Sequence, residues 1–260
     1  MTRVRRIERR AFPSSRRLVT GAERAGRRMA PMHGLLDLDV TDASTLVAAH
    51  DPPLSITAFV VASVARAAAA HPEVHAYRNW RGQLVIHRYV DVTTIVEVST
   101  PQGTFPLPHV LRDADVRDVL DLTEDLRTVQ TDVRKSRSGR LLGRFQGATA
   151  RLPGLVPTMY AVMSKSERTR QMTGTVAVTA VGMFADGGGF GIAPPTLMSL
   201  QVVVGGMSDR PRVVAGQVEV RKVLDMTVTI DHNVVDGAPA ARFGAELRHL
   251  IESAQLLRAE

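Results

Sequence analysis

The chain has 260 residues, 33 Lys and Arg against 26 Asp and Glu, a formal net charge of +7, and no cysteine. Without cysteine, disulfides, thiol nucleophiles, acyl-cysteine intermediates and Cys-ligated zinc are excluded. No apolar run is long enough to span a bilayer, and none follows the basic start as a secretion signal requires, so the protein is read as cytoplasmic with no membrane partner.

The basic charge is local. Residues 1–28 hold ten arginines against Glu8 and Glu23, a balance of +8, which leaves −1 for the other 232 residues. The start is read as a solvated basic arm over residues 1–15, ahead of one α/β domain over 16–260. Phe12 is the one aromatic near it, so base stacking has little support and nucleic acid is disfavoured as a partner.

Alternation predicts a strand over 34–40, with Leu36, Leu38 and Val40 on one face, and Thr41 is placed to cap a short helix. Ser55 opens an alanine-rich helix to about Ala70. Its apolar residues run nearly all round, which predicts burial. Extended segments follow over 83–87 and 90–98, and Pro106 to Val110 reads as an edge strand. Asp113 or Asp115 is placed to cap a helix reaching about Arg134, and 135–147 reads as a mobile basic loop. Residues 152–170 pair an apolar half with a charged half and read as a helix packed over the core. Strands are expected at 174–181, 200–205 and 224–231, and a last helix from Pro239 to about Leu257.

One place gathers titratable residues, turn residues and periodicity together: Asp231-His232-Asn233-Val234-Val235-Asp236-Gly237. His232 ends an alternating strand, Asp236 and Gly237 lie in the turn, and Pro239 suits the first helical turn. A strand-turn-helix of this kind can hold an imidazole as a general base. The same spacing is met by a histidine ending a strand and an aspartate capping a helix, and spacing alone leaves both readings open. No second histidine stands at metal-ligand spacing. The other histidines read as surface or packing residues, with His33 and His75 the two worth locating relative to the site.

The run from Asp231 to Phe243 resembles the His-x-x-x-Asp-Gly signature of the dihydrolipoamide acyltransferase catalytic domain of 2-oxoacid dehydrogenase complexes, a family related to chloramphenicol acetyltransferase. The likeness extends in order through Arg210-Pro211-Arg212-Val213-Val214, Pro194-Pro195, Thr179 to Phe184, Val110 to Asp115, His71 to Val74 and Leu38 to Thr41. It implies a two-layer chloramphenicol acetyltransferase-like α/β fold, a mixed sheet with helices on one side. It also implies homotrimers or larger assemblies with sites between neighbouring subunits.

What the resemblance implies for chemistry is acyl transfer between coenzyme A, bound as a substrate, and a thiol acceptor of the dihydrolipoyl type. By that likeness His232 is the base, Thr179 is the oxyanion donor where the family has serine, and Asp236 orients the histidine. Asp236 is expected to bridge to Arg16, with Arg17 as the alternative, and Gly237 is the turn glycine. Asn233 departs from the arginine usual after the histidine. Gly187-Gly188-Gly189 reads as a flexible channel lip and not as a phosphate loop. The three lysines, Lys135, Lys165 and Lys222, do not sit in a lipoyl-type hairpin, so a lipoyl group is expected from a separate lipoyl-bearing or dehydrogenase partner. Two alternatives stand beside this reading: a small-molecule O- or N-acyltransferase of the same fold, and a non-catalytic trimeric scaffold.

Overall fold

In the chain, β1 spans Pro31–Asp39, β4 Val92–Thr100, β5 Gly103–Leu111, β6 Val176–Ala180, β7 Leu200–Val214 and β8 Gln217–Asp231. These strands form one mixed sheet in the order β1-β8-β7-β6-β4-β5, and the two-residue strands β2 (Tyr77–Arg78) and β3 (Leu84–Val85) pair apart from it. The structure is a computed structural model describing residues 7–9, 14–100, 103–132, 155–182 and 187–258. β6 runs parallel to both β7 and β4, while the pairs β1–β8, β7–β8 and β4–β5 are antiparallel.

Period-2 alternation gives the sheet two unlike faces. Leu36, Leu38, Val176, Val178, Leu200, Val202, Met226, Val228 and Ile230 belong to the apolar core. That face packs on α3 (Ile56–Ala70), α4 (Val119–Thr131) and α7 (Gly237–Ser253). As its all-round apolarity predicts, α3 is buried over most of its surface, and Ser55 Oγ accepts from Ala58 N at its start. The opposite face carries Leu35, Thr227, Val203 and Thr179 as cross-strand neighbours. Leu35 is 53% exposed there.

Several local expectations are corrected. Asp118, not Asp113 or Asp115, caps α4 by accepting from Asp121 N, while Asp115 accepts from Val90 N and Asp113 has a φ of 49°. Thr41 is the first residue of α2 (Thr41–Ala49) and makes no cap; its hydroxyl accepts from Lys222 N, tying the helix to β8. The helix expected over 152–170 is two pieces, α5 (Leu155–Met163) and α6 (Glu167–Arg170), separated at 164–166. The last helix stops at Ser253, where Ala254 takes the left-handed conformation at φ 50°, and a further turn, α8 (Gln255–Arg258), follows.

A helix that the sequence reading did not mark, α1 (Ser14–Gly26), follows the arm expected over 1–15 and overlaps it only at Ser14 and Ser15; α1 packs on α5. Gly21 makes this approach: a Cβ there would lie 2.6 Å from Val156 Cγ1. The hairpin of β7 and β8 is also longer than expected. Residues 209–214 pair with 217–222 beyond the ends of β1 and β6. Arg210–Asp225, Arg212–Asp37 and Arg221–Asp39 ion pairs hold this extension to the body. The basic loop expected over 135–147 lies outside the described residues.

Candidate active site

The site forms where β8 ends. Asp231 is the last strand residue, paired with Pro31, and the backbone N–H of His232 donates to Ala30 O at 2.8 Å. Asp231 then organises the turn. Its Oδ1 accepts from Ala30 N at 3.1 Å, from Asn233 N at 3.0 Å and from Asn233 Nδ2 at 2.8 Å, and its carbonyl accepts from Val234 N and Val235 N. Asn233 Nδ2 also donates to Arg28 O at 3.1 Å, so the residue that departs from the usual arginine fastens the turn to the chain after α1. Sequence reasoning gave Asp231 no role beyond its place before the histidine.

The His232 side chain is 53% exposed, and its Nδ1 lies 3.8 Å from Asp236 Oδ1. That separation exceeds hydrogen-bond length, so the two groups are neighbours and not a bonded pair. Asp236 occupies the N-cap position of α7 without a side-chain cap bond, which leaves its carboxylate available to the imidazole. With Nδ1 facing the carboxylate, Nε2 is the nitrogen free to exchange a proton.

The bridge expected between Asp236 and Arg16 is not formed. Arg16 sits exposed on α1, which packs on α5, and the Asp236 side chain is 90% exposed beside His232. The Arg17 side chain lies outside the described residues. Gly237 opens α7, and a Cβ there would meet nothing within 4 Å, so the position has room for more than glycine.

Thr179 lies on the face of β6 opposite the helices, partly buried beside the buried Val203, and does not meet His232 in the same chain. Thr179 pairs with Val203, which pairs with Thr227, five residues before His232. Five residues at ~3.3 Å each, with two strand spacings of ~4.8 Å, separate them by roughly 19 Å.

The two histidines singled out from the sequence have different settings. His33 Nδ1 and Thr229 Oγ1 share a hydrogen bond at 2.9 Å, and His33 borders an apolar cavity of about 360 Å³ between β1, β8 and α7 that reaches Gly237. His75 is in a buried ring stack, 6.1 Å from His87, with no hydrogen-bond partner for either ring nitrogen.

Gly187-Gly188-Gly189 is a fastened turn, which corrects its reading as a flexible lip. All three have positive φ (91°, 88° and 132°), a region that favours glycine. Gly189 N donates to Asp225 Oδ2 at 2.7 Å, and Gly206 N donates to Gly189 O at 3.0 Å. Among the described residues no three His, Asp or Glu side chains gather as a metal site, and no helix is long and apolar enough to cross a membrane.

A mixed sheet with its helices packed on the apolar face, and a histidine–aspartate turn at one sheet end, is the two-layer chloramphenicol acetyltransferase-like fold. A chloramphenicol acetyltransferase superposes over 93% of this chain and 96% of its own at a TM-score of 0.51, with 14% identity. A dihydrolipoamide acetyltransferase from Azotobacter vinelandii superposes over 99% of both chains at 0.71, with 18% identity. The cubic core of a pyruvate dehydrogenase multienzyme complex gives 0.70 over 99% of both.

The model of the 2-oxoacid dehydrogenases acyltransferase (catalytic domain) matches residues 22–149 and 161–259, and the chain belongs to that family. Among curated relatives, the acetyltransferase component of the pyruvate dehydrogenase complex of Rickettsia bellii is 27% identical over 78% of this chain and 41% of that protein. The succinyltransferase component of the 2-oxoglutarate dehydrogenase complex of Escherichia coli K12 is 26% identical over 85% of this chain and 46% of its own. The chain therefore spans less than half the length of these relatives.

Proposed function

We propose that the protein transfers an acyl group between coenzyme A and a dihydrolipoyl-type thiol, in an assembly of at least three copies. The observation that carries this reading is the His232 turn. Asp231 and Asn233 fix the backbone, Asp236 faces Nδ1, and half the imidazole surface is open. Family membership and the names of the relatives support the reaction class.

In the proposed step, His232 Nε2 takes the proton from the acceptor thiol, and the thiolate attacks the carbonyl carbon of the acyl thioester. The carbonyl electron pair moves to oxygen, where the Thr179 hydroxyl of a neighbouring copy donates a hydrogen bond. Collapse of the adduct expels the coenzyme A thiolate, which recovers the proton from His232. The roughly 19 Å between Thr179 and His232 within one chain supports a site shared between copies. Threonine keeps the donor of the usual serine and adds a methyl, which stiffens the side chain and narrows the space beside the carbonyl.

The test is thioester exchange between acyl-coenzyme A and free dihydrolipoamide by wild type and His232→Ala. The reading expects the variant to lose at least about a hundredfold in rate. Full exchange by a folded His232→Ala protein would remove His232 as the base.

A further inference from the structure

Beside the His232 turn lies a second cavity, of about 280 Å³, bordered by the end of α1, by β2, by the 164–170 segment and by 196–199. Its lining holds four cationic side chains, Arg28, Arg78, Lys165 and Arg170, and one carboxylate, Asp231. None of the four makes an ion pair within 4.0 Å among the described residues, whereas Arg112, Arg117, Arg210 and Arg221 elsewhere in the fold each do. Asp231 Oδ1 is committed to Ala30 and Asn233, so it leaves most of the positive charge uncompensated.

Arg170 is the informative member. It is 5% exposed, stacks its guanidinium 4.1 Å above the Tyr77 ring, and donates to Leu197 O at 2.6 Å. Burial pushes its pKa down to about 10, with the Asp231 carboxylate among the groups opposing the fall, so it stays protonated at neutral pH. A buried charge without a carboxylate partner is costly and marks a place for an anion. Tyr77, on which the guanidinium stacks, also borders the cavity and has a buried hydroxyl with no hydrogen-bond partner.

We propose that this cavity is an anion site for a phosphate ester or pyrophosphate group. Four cations against one occupied carboxylate fit a multiply charged ligand, and guanidinium forks match paired phosphate oxygens. The cavity reaches the reaction turn through Asp231 and Asn233, while His232 is not among its lining residues. The inference goes beyond the acyl-transfer reading and does not need it, because occupancy is measured without turnover.

Calorimetric titration of the full chain with inorganic pyrophosphate, at fixed ionic strength, tests it. The expected result is one saturable site per chain, weakened at least about tenfold in Arg78→Gln/Lys165→Gln, which keeps the buried Arg170 in place. Arg242→Gln, an exposed cation on α7 outside the cavity, should leave binding unchanged. Absence of saturable binding, equal weakening by Arg242→Gln, or full binding by the folded double variant would each overturn the proposal. Competition by coenzyme A but not pantetheine would identify the ligand group as the donor's phosphates. Saturable binding without that competition would assign the site to a separate phosphorylated molecule. His232→Ala should bind pyrophosphate like wild type, so loss of transfer and loss of the anion site are read apart.

Discussion

Asn233 donates its side-chain amide to Asp231 Oδ1 at 2.8 Å and to Arg28 O at 3.1 Å, so one residue closes the His232 turn and ties it to the chain that follows α1. Replacing it with alanine removes two hydrogen bonds without touching the imidazole. Asn233→Ala should lose about 1 kcal/mol of stability in denaturant unfolding. Its exchange rate should fall about tenfold, since a small displacement of a positioned base is expensive. Unchanged stability and rate would mean that Asp231 and Ala30 hold the turn without it.

Asp225 is fully buried on β8 and accepts through Oδ2 from Gly189 N and from Arg210, while its Oδ1 has no partner. Asp225→Ala strands both donors and frees the 187–189 turn. A loss of about 3 kcal/mol is expected, read as a lowered denaturant midpoint. A variant as stable as wild type would show that the ion pair and the turn contribute nothing net.

His75 should make stability depend on acid. Burial, followed by the nearby His87 charge, lowers its pKa from 6.5 to about 4, with the Ala68 backbone acting weakly the other way. Because the folded pKa is depressed, the unfolded chain binds the extra proton first. The stabilisation is full above pH 6.5 and is lost as pH falls towards 4, by about 3 kcal/mol across that window. His87 is shifted in the same direction, mainly by burial, and adds to the slope. Melting temperature between pH 7 and 4 should fall steeply for wild type and less steeply for His75→Asn. Equal slopes would contradict the assignment.

Much of the architecture is legible in local pattern. The all-round apolar α3, the alternation of β8 and the helix after Pro239 each follow from periodicity, and each forms where expected, although β8 begins seven residues earlier, at Gln217. The misplaced caps show where pattern stops. Asp113, Asp115 and Asp118 are equivalent as residue types, and only the path of the chain over β4 selects Asp118 while giving Asp115 to Val90 N. In the site, His232 and Asp236 are visible as a spacing. The Asp231 and Asn233 contacts to Ala30 and Arg28 span about 200 residues of sequence and leave no local signature. The helix α1 was obscured by its arginines, because their charge outweighs the small apolar face that Gly21 lets approach Val156.

The central claim, one site built from His232 of one copy and Thr179 of the next, is tested most directly by complementation. His232→Ala and Thr179→Ala are expressed separately and together, and exchange between acyl-coenzyme A and dihydrolipoamide is measured. Alone, each should be nearly inactive. Random equal mixing in a cyclic assembly should restore about a quarter of wild-type activity, the share of junctions that join an intact histidine to an intact threonine. Mixed assemblies no more active than the separate variants would contradict a shared site.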